Sequence, residues 1–178
     1  MTIRELEKEK WEDYEVYFSD YADASFGIHV IEDNGFKVDI CKEKLDERKY
    51  VKYPMRLFKN GYKDVQAFGV FDDDKLVGGI EFGIEERRQN PRLFISLLWV
   101  DDSHKRKGIA VSLMNIAKER AKNENLRAVF VTTYSRNEHA VAFYLSQGFK
   151  FIGFDSCWKS NEDAEKYEAL LKLGIFIS

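Results

Sequence analysis

Cysteine and proline are scarce in this chain, with two of each among 178 residues. Cys41 and Cys157 lie far apart, and neither has a second ligand at metal-binding spacing in the sequence. That pattern suggests no disulfide framework and no zinc ribbon, and both residues read as reduced thiols of a cytoplasmic protein. So few prolines argue against a disordered linker. No apolar run approaches the ~20 residues needed to span a bilayer, and the opening MTIRELEKEKWEDY is charged rather than signal-like. A membrane is therefore not an expected partner. Positive charge is not in excess either, with 28 Lys and Arg against 31 Asp and Glu and a net charge of −3. Such a balance offers nucleic acid no general attraction. Internal repeats and low-complexity segments are absent.

What is present is the composition of a globular protein, 44% hydrophobic, 15% aromatic and 33% charged. The length suits one domain, 1–178, large enough to bury a substantial core.

In chain order, Thr2 to Leu6 reads as a short strand, and Glu9 to Phe18 as a helix carrying Trp11, Tyr14 and Phe18. Residues Phe26 to Lys44 alternate on both sides of Asp33-Asn34-Gly35, a hairpin signal. Lys42 to Phe58, interrupted by Pro54, reads as a short helix or irregular connection. Val65 to Phe71 and Lys75 to Ile84 form a second hairpin around an acidic turn. The run Phe94 to Val100 is a buried strand, 108–122 a helix and Leu126 to Tyr134 a strand. Asn137 caps a further helix that ends at Gly148. The C-terminal part reads as a strand over Phe149 to Trp158, a helix over Ser160 to Leu173 and a last strand from Ile175.

The most informative stretch is the junction LLWVDDSHKRKGIAVSLMNIAKER, from Leu97 to Arg120. Strand, basic glycine turn and helix follow one another, and the helix places Ala110, Leu113, Met114, Ala117 and Ala121 on one face. A helix start leaves backbone N–H groups unpaired and carries partial positive charge, so it attracts anions. Gly108 and Ala110 would let a diphosphate approach the backbone, with Lys105, Arg106 and Lys107 adding charge. A solvated turn is the other reading of the same residues. The next strand completes a strand–helix–strand unit with a crevice at its C-terminal ends, where ligands bind in open αβ sheets.

Two motifs in this half resemble the GNAT superfamily of acyl-CoA-dependent N-acetyltransferases. Lys105-Arg106-Lys107-Gly108-Ile109-Ala110 resembles its Q/R-x-x-G-x-G/A loop, with Lys105 departing from the usual first residue. Asn137, Ala140, Phe143, Tyr144, Gly148 and Phe149 match its N-x-x-A-x-x-F-Y-x-x-x-G-F motif at every named position. The resemblance implies a mixed α/β fold, with a central, mostly antiparallel, twisted sheet splayed between two parallel central strands and helices on both faces. It implies acetyl-CoA as co-substrate and no metal. The Lys105–Ala110 backbone would hold the pyrophosphate, while Leu98, Trp99, Val100 and Asn137 would meet the pantetheine arm. Tyr144 would be the general acid for the departing thiolate, a role suited to a phenol with an ordinary pKa of about 10. A core aromatic is the other reading of Tyr144, and a helix cap the other reading of Asn137.

Most of the chain is similar to the streptothricin acetyltransferase branch, through the Asp33-Asn34-Gly35 hairpin, Tyr50-Val51-Lys52-Tyr53-Pro54 and Gly153-Phe154-Asp155. Ser96 and Leu97 stand where that branch carries acids, and Thr132-Thr133-Tyr134 where it carries Glu-Thr-Gln. An aliphatic ammonium, with a pKa of about 10.4, must lose a proton before nitrogen attacks a thioester. Glu81, alternating away from Ile80, Phe82 and Ile84, is the candidate base, with a solvent-facing strand residue as its other reading. Asp155 is a second candidate, and a water relay with no single base a third possibility. His29, His104 and His139 are not favoured by spacing, and nothing near Cys157 would activate it as a nucleophile. The implied acceptor is a primary amine of a small molecule, such as a streptothricin-like antibiotic, acetylated in a ternary complex by a monomer or homodimer. A protein or peptide amine, in a groove formed by the aromatic segment Phe18 to Tyr62, is the alternative. A non-catalytic acyl-CoA-binding module is a further one.

Overall fold

Alternating apolar residues, rather than helical periodicity, dominate this chain, and strands carry most of the structure. The computed structural model describes residues 1–32, 34–86 and 90–177. Nine strands are present among them: β1 (Thr2–Glu5), β2 (Glu15–Glu32), β3 (Phe36–Arg56), β4 (Lys63–Asp72), β5 (Lys75–Glu85), β6 (Arg92–Val100), β7 (Ala128–Tyr134), β8 (Lys150–Asp155) and β9 (Leu170–Phe176). Three α-helices accompany them: α1 (Lys8–Trp11), α2 (Ile109–Asn123) and α3 (Glu138–Ser146). Among the described residues, no helix is long and apolar enough to cross a membrane.

The chain divides into two compact units, one of Met1–Phe18, Tyr53–Val131 and Gly174–Ser178, the other of Ser19–Lys52 and Thr132–Leu173. In the first unit the strand order is β1-β4-β5-β6-β7. Neighbours are antiparallel from β1 to β6, whereas β6 and β7 are parallel and joined through α2. The parallel ladder pairs Leu93–Val129, Phe94–Phe130 and Ile95–Val131, while β6 runs on to Val100. The α2 helix packs on β5 and β6 through Leu113, Met114 and Ala117, all fully buried. A second apolar cluster joins Leu6, Val16, Leu57, Phe71, Leu97 and Trp99. In the second unit β7, β9 and β8 are neighbours in that order.

Five sequence expectations are corrected. The helix expected over Glu9 to Phe18 ends at Trp11, because Asp13 adopts φ 66° and β2 begins at Glu15. Here Phe18 stacks on Tyr53 of β3 at 5.5 Å, so its aromatic partner lies across a ribbon rather than along a helix. Residues Lys42 to Arg56 belong to β3, with Pro54 inside it. A two-stranded ribbon is edge on both sides, and a proline without an N–H is tolerated at an edge. Finally, the expected helix over Ser160 to Leu173 is a series of turns followed by β9. Tyr167 at φ 57° ends the turns, and Leu170, Leu171 and Leu173 are buried as strand residues. The strand expected from Phe149 to Trp158 is the shorter β8, and the last strand begins at Leu170 instead of Ile175.

The expected hairpins hold. Asn34 and Gly35 have φ values of 53° and 152°, as a tight turn between β2 and β3 requires, while Asp33 lies outside the described residues.

Candidate active site

In the first unit, β6 ends at Val100 and the chain passes through a one-turn 3-10 helix, Asp102–His104, into the basic turn. Arg106 and Gly108 both adopt left-handed φ, 61° and 81°. Gly108 is the N-cap of α2, with no side-chain cap, no acid in the first turn, and nothing within 4 Å of where a Cβ would stand. The first N–H groups of α2 therefore face an open, exposed cradle, the setting in which a helix start takes up an anion. Lys105, Arg106 and Lys107 are all exposed, and Lys105 Nζ pairs with Asp102 at 2.6 Å. A pyrophosphate fits this cradle. Next to it, His104 Nε2 lies 3.1 Å from Asp72 and holds that carboxyl below its usual range.

Glu81, on β5, is a buried acid of this unit, 1% exposed. The solvent-facing alternative is thus excluded, because β5 is covered on both faces from Val77 to Gly83. Its carboxylate accepts from three donors. Phe58 N–H reaches Oε2 at 2.5 Å, Ser96 Oγ donates to Oε1 at 2.6 Å, and the Asn60 amide also donates to Oε1. The orientation of Asn60 is set by Tyr62 N–H, which donates to Asn60 Oδ1 at 3.1 Å.

A bulge positions Ser96. Glu81 pairs with Leu97 and Phe82 with Ile95, so Ser96 is the extra residue of β6 and its hydroxyl is turned onto Glu81. The Phe58 N–H is presented from a residue at φ 61°, a conformation that a bulky side chain adopts only when its surroundings impose it. Glu81, Asn60 and Ser96 line a cavity of about 470 Å3 that Glu15, Arg56 and Lys59 complete. Both cations have acidic partners: Arg56 lies 3.6 Å from Glu15, and Lys59 lies 3.1 Å from Asp13, which holds its ammonium above the usual range. Asn60 and Phe58 escaped the sequence reading, because only the fold brings the segment after β3 against β5.

In the second unit, Asn137 caps α3 by accepting from Ala140 N–H at 3.0 Å. Tyr144 is 6% exposed, with Phe143 and Phe149 rings at 5.5 and 5.7 Å. Asp155, the weaker candidate base, accepts from Cys157 N–H at 3.0 Å. That carboxylate raises the Cys157 thiol, which opposes a nucleophilic role.

Residues 3–149 match the acetyltransferase (GNAT) family. The chain belongs to this family. The enzyme is accordingly an acetyl-CoA-dependent N-acetyltransferase, with acetyl-CoA as co-substrate. Among its relatives, the streptothricin acetyltransferase of Escherichia coli is 28% identical over 130 residues, covering 73% of this chain and 70% of that protein. Two crystal structures share the fold over 99% of the chain at 19% identity. One is an assigned streptothricin acetyltransferase from Bacillus anthracis str. Ames in complex with acetyl coenzyme A, at TM-score 0.71 over 97% of that chain. The other is nourseothricin acetyltransferase, at TM-score 0.75 over 98% of that chain.

Proposed function

We propose that the enzyme transfers the acetyl group of acetyl-CoA to a primary amine of a small molecule, a streptothricin-like antibiotic or another amine, by direct attack in a ternary complex. The observation that supports this reading best is the buried Glu81 carboxylate lining a cavity of about 470 Å3. Small-molecule sites are concave, with a few placed polar groups, and a cavity of this size suits a small acceptor better than a protein surface.

Glu81 is read as the group that holds the acceptor ammonium and takes its proton, directly or through a water. Ser96 and Asn60 orient it, so that a cation approaches a carboxylate already fixed in place. The N–H groups from Lys105 to Ala110 bind the pyrophosphate, with Gly108 keeping the approach open. Leu98, Trp99 and Val100 offer backbone to the pantetheine arm, and Asn137 a polar contact. Acetyl-CoA supplies the activated thioester. Tyr144 donates its phenolic proton to the departing sulfur, and residues 1–178 work as one acyltransferase domain. The relationship to the Escherichia coli streptothricin acetyltransferase supports the acceptor class.

The test is a screen of small amines, streptothricin and polyamines included, for acetyl-CoA-dependent thiol release. Turnover with peptide amino groups and none with small amines would overturn the reading.

A further inference from the structure

We propose that the β2–β3 ribbon carries a binding site for one zinc-like divalent ion, with His29, Cys41 and Glu43 as ligands. The sequence gives no sign of it, since eleven or more positions separate His29 from the other two. Pairing β2 with β3 brings the donors together. His29 Nε2 is 2.6 Å from Glu43 Oε1, Cys41 Sγ is 3.5 Å from the same oxygen, and all three donor atoms lie within 4.8 Å of one another. Cys41 and Glu43 are alternate residues of one strand, so they share a face of the ribbon.

Three further features suit such a site. Gly27 leaves room for the carboxylate, because a Cβ there would collide with Glu43 Oε1, Cδ and Oε2. The hydroxyl of Tyr167 donates to Glu43 Oε2 at 3.2 Å, fixing the carboxylate from behind as outer partners of metal ligands do. The donor set combines thiolate, imidazole and carboxylate, which selects zinc and similar borderline ions over calcium or magnesium.

Bond lengths of about 2.0–2.3 Å place the corners of a tetrahedral zinc site about 3.3–3.7 Å apart. Cys41 and Glu43 already stand at that spacing. His29, whose side chain is 57% exposed, needs only to move off the Glu43 oxygen and toward the sulfur. On binding, bonds form from the metal to Cys41 Sγ, His29 Nε2 and Glu43 Oε1, and a water completes the fourth position. The Cys41 thiol proton goes to solvent, the remaining His29 proton resides on Nδ1, and no electron changes hands. The ion would tie together the two strands of the ribbon, which pair only with each other.

Metal-free full-length protein should be titrated with cobalt(II) and with zinc(II). One equivalent of cobalt should bind with a thiolate-to-metal charge-transfer band, and zinc should displace it and raise the melting temperature. Cys41→Ser and His29→Ala should abolish the band while Cys157→Ser leaves it intact. Tyr167→Phe should weaken binding by about 10-fold. On the unaltered protein, zinc should shield Cys41 but not Cys157 from iodoacetamide, as read by mass spectrometry. No saturable uptake at sub-millimolar metal, a spectrum without charge transfer, or alkylation of both thiols at equal rates in zinc would each overturn the proposal. None of these readouts depends on acetyl transfer, so the outcome stands apart from the acceptor class proposed above.

Discussion

Ser96 Oγ donates to Glu81 Oε1 at 2.6 Å because a bulge in β6 leaves Ser96 without a cross-strand partner. A serine on one strand thus orients an acid on the next, and the carboxylate is held by three donors on a residue that is only 1% exposed.

Replacing Glu81 with Gln should lower kcat/KM by about 100-fold or more, the usual scale for a proton acceptor. The acid limb of the pH–rate profile should flatten with it. An unaltered profile would remove Glu81 as the base. Because an amide cannot accept from all three donors, the melting temperature should also fall, by the equivalent of about 1–3 kcal/mol.

Ser96→Ala removes one donor and leaves the other two. A smaller loss of activity than in Glu81→Gln is expected, with about 1 kcal/mol of stability lost in denaturant titration. Equal losses in the two variants would mean that Ser96 does more than orient the acid.

At the anion cradle, Gly108→Ala places a Cβ in the space left for the ligand and forces a left-handed φ of 81° on an alanine. The backbone cost is about 1–2 kcal/mol. The KM for acetyl-CoA should rise by about tenfold, equivalent to about 1.4 kcal/mol of binding. Steady-state kinetics with acetyl-CoA varied would show whether kcat is spared.

Tyr144→Phe keeps the ring in its aromatic contacts and removes the proton donor. The kcat should drop by about 100-fold. Acetyl-CoA binding by calorimetry should stay within about threefold of the original, since a difference of that size is under 1 kcal/mol. An unchanged kcat would reject Tyr144 as the acid.

Acid should also weaken the second unit. The Lys42 ammonium, together with the Asp23 N–H, holds the buried Glu138 carboxyl below its ordinary 4.5. A depressed carboxyl pKa contributes stability that is present above its unfolded value and is lost as pH falls through the folded one. Lys42→Met should therefore destabilise the protein near neutral pH, and thermal melts should show the difference from the parent shrinking as pH falls below the ordinary carboxyl value of 4.5.

Local chemistry made the acetyl-CoA half of this protein readable from sequence. The glycine cap of α2 with its basic neighbours and the Asn137 cap of α3 are each local features, so the helix starts stand where the sequence places them. Short-range signals also announced the hairpins at Asn34-Gly35 and Asp72 to Asp74. Segments whose partners lie far away were misread: Phe18 packs on Tyr53, Pro54 is tolerated because β3 lies in a ribbon, and Leu170 to Leu173 join a sheet. The same distinction holds for the chemistry. Alternation singled out Glu81, but its burial and its contacts arise from the β5–β6 pairing, which brings Ser96 to it, and from the segment after β3, which brings Phe58 and Asn60. The assembly of His29, Cys41 and Glu43 arises in the same way. Sequence by itself determined the family and with it acetyl-CoA as co-substrate, because each of the two motifs that carry the resemblance is short and local. Only the tertiary structure decided the surroundings of Glu81, because Phe58 and Asn60 on one side and Ser96 on the other come from two stretches of chain well removed from it in sequence.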